Sequence, residues 1–317
     1  MRIVILGAGA IGGVIAGHLA RAKRDVHVIA RGKHLDAIRA NGLRVETPDG
    51  PFTVQVPTGP VEWRDGDVLM VATKTQDLDA ALRDLGAPAC VPIVCMMNGV
   101  EAERIALRHA REVYAGVVLM PSLYTTPGIV EVYASPIPGI FDLGRYPDGV
   151  GDADAIAGEL IAAGFSVEVR PNVMRWKRVK LLNNLLNSAE AMSGAAVGQS
   201  ELLPRARAEG RAVFAAANLA CASDAEDAER RKLLVLKEIA GKRRAGGSTF
   251  QSLARGGSLE TDYLNGEIAM LGRLHGVPTP VNEALQELAA EAARDKIEAG
   301  SIPVAELITR VNSRATV

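Results

Sequence analysis

The sequence is poor in the features that would mark a scaffold, a membrane protein or a polyanion binder. Its 317 residues hold three cysteines, Cys90, Cys95 and Cys221, each in apolar surroundings and without C-x-x-C or metal-ligand spacing. A disulfide framework and a metal cluster are excluded, and buried free thiols are expected. Charge of either sign is not in excess: 36 Lys and Arg face 37 Asp and Glu, for a net −1. No general field therefore attracts nucleic acid or an anionic membrane. No apolar run approaches the 18 residues of a membrane span, and no signal peptide is expected ahead of a strand that starts at residue 2. The cytoplasm is the expected compartment. Internal repeats, low-complexity tracts and long linkers are also missing.

What is present is ordinary globular composition, 48% hydrophobic and 23% charged. The length exceeds the size at which one core stops growing, so two domains are expected. The first stretch is the most informative. Residues 3–6 form an apolar run of strand length, ended abruptly by Gly7-Ala8-Gly9-Ala10-Ile11-Gly12 and followed by a helical pattern from Val14. This is G-x-G-x-x-G between strand and helix. The first glycine allows the tight turn, the second lets a pyrophosphate approach the backbone, and the third lets helix and strand pack closely. The helix N-terminus offers N–H groups and a positive dipole end to phosphates. A dinucleotide-binding, Rossmann-like α/β domain is predicted.

Residues 25–30 read as the second strand, and Arg31 stands where an NAD site carries Asp or Glu for the ribose 2′-hydroxyl. A guanidinium there can bind a 2′-phosphate in a bidentate fork, which points to NADP. A solvated loop arginine is the plain alternative. Residues 43–56 suggest a hairpin around Pro48-Asp49-Gly50. Near-continuous apolar strands follow at 67–72 and 91–97, as in a parallel sheet covered on both faces. Lys74 and Asn98 lie just past their carboxyl ends, where open α/β sheets bind ligands. Each alone reads as a surface lysine or a turn former. Further strands are expected at 113–119, 139–143 and 165–169, with loops and short edge strands through 121–147. The α/β domain should cover residues 1–170.

An all-α domain over 171–317 is predicted beyond it. Helices are expected over 172–192, from the Ser223-Asp224-Ala225-Glu226 capping box, over 259–275 after Ser258, and over 281–299. On the first of these, Lys180, Asn184 and Asn187 stand at i, i+4 and i+7, both asparagines within about 40° of the lysine. Between Leu181 and Ser200 the only charge is Glu190, so the helix should be buried for most of its girth. Buried asparagines need partners; inter-helix hydrogen bonds would supply them, and so would a polar pocket. A protonated lysine beside a ketone can stabilise developing negative charge on oxygen and deliver a proton. The histidines compete poorly: His18 and His27 belong to Rossmann elements, His34 and His109 read as exposed, and His275 as a helix C-terminal dipole partner. Glu260 is expected in the first turn of its helix, and Ser248, after two glycines, as a turn residue or cap.

Together these pieces resemble the ketopantoate reductase (2-dehydropantoate 2-reductase) family over nearly the whole chain. The likeness runs through the Gly7–Gly12 loop, Lys74, Asn98-Gly99, the 176–184 helix, Glu260-Thr261-Asp262-Tyr263-Leu264-Asn265-Gly266 and His275-Gly276-Val277-Pro278. The resemblance implies NADPH-dependent reduction of 2-dehydropantoate to pantoate, in a cleft between a Rossmann and a helical domain. It implies Lys180 as general acid at the ketone oxygen and Asn184 as partner of a substrate hydroxyl. It implies Glu260 at the hydroxyl end of the substrate and Ser248 at its carboxylate. Arg31 and Lys74 match cofactor positions, and Asn98 borders both cofactor and substrate. The family often places its lysine two residues after the tryptophan, where this chain has Arg178; its second asparagine falls at Ser188, with Asn187 one residue earlier. Another 2-keto acid, a hydroxyacid or opine-type dehydrogenase, and a non-catalytic NADP sensor are the competing readings. The partner is a small-molecule 2-keto acid, with no nucleic acid or membrane, and a homodimer is compatible with the sequence.

Overall fold

The computed structural model describes residues 1–315 apart from Ala245. The chain forms two compact units, Met1–Lys177 with Asp224–Arg244, and Arg178–Ser223 with Ala245–Val317.

The first unit begins with β1 (Arg2–Leu6), α1 (Ala10–Arg21), β2 (Val26–Ile29), α2 (Gly32–Asn41), β3 (Leu43–Glu46) and β4 (Phe52–Val54). Then come β5 (Asp67–Val71), α3 (Leu78–Leu85), β6 (Ile93–Cys95), α4 (Ala102–Ala106), β7 (Val113–Leu119), β8 (Ser122–Thr126) and β9 (Ile129–Val132). It continues with β10 (Ile140–Arg145), α5 (Ala153–Ala162) and β11 (Ser166–Val169) before α6 (Val173–Asn184) leaves it. Seven strands make one sheet in the order β11-β10-β7-β6-β5-β1-β2, parallel except where β10 runs against β7. In β1, Ile3 and Ile5 pack with Val14, Ile15 and Leu160, while Val4 and Leu6 pack with Leu78, Leu82 and Ala102. Both faces are covered, which is why the strand is apolar without alternation.

A second sheet, β4-β3-β9-β8, lies on α1. The short edge strands expected among the loops of 121–147 include β8 and β9, and β3 pairs in parallel with β9 far along the chain. Glycines in α1 make the close approach possible: a Cβ at Gly17 would stand 2.4 Å from Val45 Cγ2, and one at Gly13 2.7 Å from Val130 Cγ1.

The second unit is helical, with the end of α6, α7 (Asn187–Ser193) and α8 (Leu202–Ala216). After α9 (Asp224–Arg231), which belongs to the first unit, it resumes with α10 (Ser248–Ala254), α11 (Asn265–His275), α12 (Pro280–Arg294) and α13 (Val304–Ala315). The α/β domain followed by a helical one is the architecture read from the sequence. Its division differs from a single cut at 170/171. The first unit reaches to Lys177 and takes back 224–244, a segment that after α9 is bridged strand and turn instead of helix. Two buried ion pairs hold these parts: Lys177 with Glu103, and Arg230 with Asp142 (3.1 Å). Arg230 also donates to the Phe141 carbonyl (2.8 Å).

Among the described residues no helix is long and apolar enough to cross a membrane, and no group of three or more His, Cys, Asp and Glu is placed to hold a metal. None of the three cysteines is in a disulfide, and only Cys95 is buried; Cys221 is half-buried and Cys90 is exposed, lying in the loop that precedes β6. Burial pushes the Cys95 thiol well above its ordinary value.

Candidate active site

The carboxyl ends of four strands stand in one row: Leu6 pairs with Ile29 and Val71, and Val71 with Cys95. Gly7 follows Leu6 directly, Arg31 is two residues past Ile29, and Lys74 and Asn98 are each three past their strands. Parallel register therefore brings the glycine loop, Arg31, Lys74 and Asn98 to one sheet edge, on both sides of β1 where the strand order reverses.

The loop geometry follows from its glycines. Gly7 has φ 100, a left-handed conformation that a side chain would strain, and its N–H bonds the Ile29 carbonyl (3.1 Å). Gly9 is the N-cap of α1 and gives it no side-chain cap, so the first-turn N–H groups keep no side-chain partner. A Cβ on Gly9 would meet nothing within 4 Å, which leaves open space beside those donors. A Cβ on Gly12 would stand 2.0 Å from the Gly7 carbonyl oxygen. Gly12→Ala should therefore push loop and helix apart. Overpacking of this kind costs about 1–3 kcal/mol. The expected result is lower unfolding free energy together with weaker dinucleotide binding, read by denaturant titration and calorimetry; unaltered binding would count against the loop as a phosphate site.

Arg31 is exposed at the N-cap of α2, and among the described residues its guanidinium makes no ion pair or hydrogen bond. Lys74 is half-buried ahead of a single 3₁₀ turn, Thr75–Asp77. Asn98 is half-buried, followed by Gly99 at φ 80.

The loop carrying Asn98 has a support that the sequence reading did not single out. Lys177, 2% exposed, reaches Glu103, 0% exposed, and donates to the Met97 carbonyl (3.1 Å), one residue before Asn98. The nearest sequence signal was a lysine beside Trp176, a ring that packs under the Arg170 guanidinium at 4.1 Å.

In the second unit, Lys180 and Asn184 are half-buried and stand four apart on α6. The expected single helix over 172–192 is broken at Leu185-Leu186, so Asn187 opens α7 and does not extend their row. The reason is a side chain from α11. Asn265 donates to the Leu185 carbonyl (2.9 Å), which a continuous helix would use internally, and to Asn282 Oδ1 (3.0 Å). Ser188 donates to Asn265 Oδ1 (2.8 Å), and Asn282 donates to Glu209 (2.7 Å). Ser188 is thus buried in a structural network, while Asn187 is half-buried.

Glu260 is half-buried but not in the first turn of a long helix: it precedes the 3₁₀ turn Thr261–Tyr263, and α11 starts only at Asn265. The non-helical backbone at Leu264 (φ −117, ψ −91) separates the two, so the helix-dipole argument for this carboxylate does not hold. Its neighbour Thr261 lies 3.4 Å from the Ser188 hydroxyl, which ties this segment to the α6–α7 junction. Ser248 is exposed as the first residue of α10, and the cap is Gly247, whose N–H donates to Glu190 (3.2 Å). The helices expected over 259–275 and 281–299 are shorter at one end, at Asn265 and Arg294.

Two histidines differ from expectation. His34 and His109 are half-buried rather than exposed: His109 pairs with Asp79 (2.8 Å), and His34 engages both ring nitrogens.

Fold and site together define a dinucleotide-binding α/β protein with a helical second unit. The ketopantoate reductase PanE/ApbA family model matches residues 3–148, and the corresponding C-terminal model matches residues 172–293. The chain belongs to the ketopantoate reductase family. It is 30% identical to the 2-dehydropantoate 2-reductase of Mesorhizobium japonicum, over 93% of this chain and 99% of the relative. It is 28% identical to that of Halobacterium salinarum, over 93% and 100%. A crystal structure of a PanE/ApbA family ketopantoate reductase from Ralstonia eutropha aligns with TM-score 0.79 at 28% identity, covering 93% of this chain and 99% of that one. D-mandelate dehydrogenase in complex with NADH and anilino(oxo)acetate aligns with TM-score 0.81 at 23% identity, covering 93% and 99%, a likeness of fold. The curated relatives are oxidoreductases that act on a keto or hydroxyl group, and the family uses NAD(P).

Proposed function

We propose that this chain is an NADPH-dependent reductase of a 2-keto acid, with 2-dehydropantoate as the substrate and pantoate as the product. The observation that carries this reading is the row of strand ends that gathers Gly7–Gly12, Arg31, Lys74 and Asn98 at one sheet edge. The open space at Gly9 and the uncapped first turn of α1 fit a pyrophosphate, and Arg31 and Lys74 fit the negative charge of a 2′-phosphate. The family of 2-dehydropantoate 2-reductases supplies the substrate class.

The bound dinucleotide would supply the hydride. The chain's part is to hold the keto acid and provide the proton. Lys180 is the general acid at the ketone oxygen. It stands on α6 four residues before Asn184, the spacing that the family likeness gives its lysine and asparagine. Asn184 and Glu260 hold the hydroxyl end of the substrate, Ser248 its carboxylate, and Asn98 borders both ligands. Residues 1–170 carry the cofactor half of this chemistry and residues 171–317 the substrate half.

NADPH oxidation followed across a panel of 2-keto acids tests the reading. Turnover of 2-dehydropantoate well above the others is expected; preference for a different 2-keto acid would move the substrate, and NADPH binding with no turnover would make the chain a sensor. Arg31→Ala should weaken NADPH by about 10–100-fold, the loss of a charge-assisted hydrogen bond, and NADH far less. Equal losses for the two cofactors would remove Arg31 from the phosphate site.

A further inference from the structure

His34 stands in the first turn of α2, three residues after Arg31, and both of its ring nitrogens are used. The Gly128 N–H donates to Nδ1 (2.8 Å), so that nitrogen carries no proton. The proton is then on Nε2, which donates to the Ala8 carbonyl inside the glycine loop (2.7 Å). The Tyr124 ring meets the imidazole edge to face at 4.8 Å and fixes its plane. Burial pushes the His34 pKa below the ordinary histidine value, in keeping with a neutral ring. Ala8 itself is 3% exposed, and a buried carbonyl without a donor is costly.

One side chain thus joins three pieces: the loop that would face the pyrophosphate, the helix turn that begins at Arg31, and the β8–β9 turn at Gly128. The glycines give the loop its shape but no stiffness, since they lose more conformational freedom on ordering than other residues. A donor that pins Ala8 restricts the loop before any ligand arrives, and pre-organisation of this kind raises affinity.

We propose that His34 is a positioning residue for dinucleotide binding, acting through its Nε2–H bond to the Ala8 carbonyl. The inference rests on the reading of Gly7–Gly12 as the dinucleotide loop.

Three variants separate the two hydrogen bonds. His34→Ala removes both, His34→Gln returns an N–H donor near the Nε2 position, and His34→Asn returns only an acceptor near Nδ1. Calorimetric Kd for NADP⁺ is measured with the full-length chain, alongside kcat at saturating NADPH. His34→Ala should weaken binding about tenfold, as for one well-made hydrogen bond, with kcat held within about twofold. His34→Gln should recover most of the affinity, and His34→Asn should not. If Asn restores binding as well as Gln, the Gly128 bond matters and the role is structural, which overturns the proposal. A kcat loss that matches the loss in affinity, or an Ala variant that binds like the wild type, overturns it too. Should His34→Ala fail to fold, the Gln and Asn comparison still decides. A wild-type chain that binds neither NADP⁺ nor NADH would instead refute the dinucleotide reading itself, and the proposal with it.

Discussion

Lys180→Ala is expected to lower kcat by about 10²–10⁴-fold, the ordinary contribution of a positioned general acid. Affinity for NADPH should change little, because Lys180 lies outside the row of strand ends that fits the cofactor. The side chain is half-buried on α6, one turn before Asn184. Removing it should withdraw the proton donor from the transition state without removing much ground-state binding, so the loss should appear in kcat more than in KM. Stopped-flow NADPH oxidation beside a fluorescence titration of NADPH would separate the two. Turnover equal to the wild type would leave the reaction without a lysine acid. A parallel loss of NADPH affinity would assign Lys180 to the cofactor.

Lys177→Met should destabilise the fold by about 3–5 kcal/mol, since it strands the other half of a buried ion pair. Glu103 is wholly buried, its second carboxylate oxygen has no hydrogen-bond partner among the described residues, and the Met97 carbonyl would lose its donor as well. The partner matters more than the lysine. Replacing both charges with apolar side chains of similar volume is often neutral, so Lys177→Met with Glu103→Leu should recover much of the loss. Urea unfolding of the two variants checks this: equal destabilisation of single and double mutants would mean that the pair is not the source. Because Lys177 also holds the residue before Asn98, the single variant should raise the KM for substrate at temperatures where it remains folded.

The parallel sheet was legible because its strands are buried on both faces and so read as unbroken apolar runs, while the glycine loop declared itself by spacing at the end of the first. Arg31, Lys74 and Asn98 could be placed for a related reason: each follows a strand within a few residues, and strand ends align in a parallel sheet. The helix break at Leu185-Leu186 was hidden, since its cause is Asn265, eighty residues later in the chain. Return of residues 224–244 to the first unit depends on Arg230 finding Asp142, and nothing near Lys177 in sequence announces Glu103 as its partner. His34 was likewise placed at an exposed position, because nothing near it in sequence announces Ala8 or Gly128 as its partners.

The sequence by itself determined the element types, the order of an α/β domain before a helical one, and the identity of the residues at the sheet edge. Apolar periodicity, glycine spacing and strand ends act over a few residues, where local sterics and burial leave few alternatives. Tertiary structure alone decided which buried charges meet, where the long helix stops, and which histidine is tied to the glycine loop. Those outcomes depend on the desolvation of polar groups brought together from distant parts of the chain, and a buried donor is satisfied by whichever acceptor the fold delivers to it.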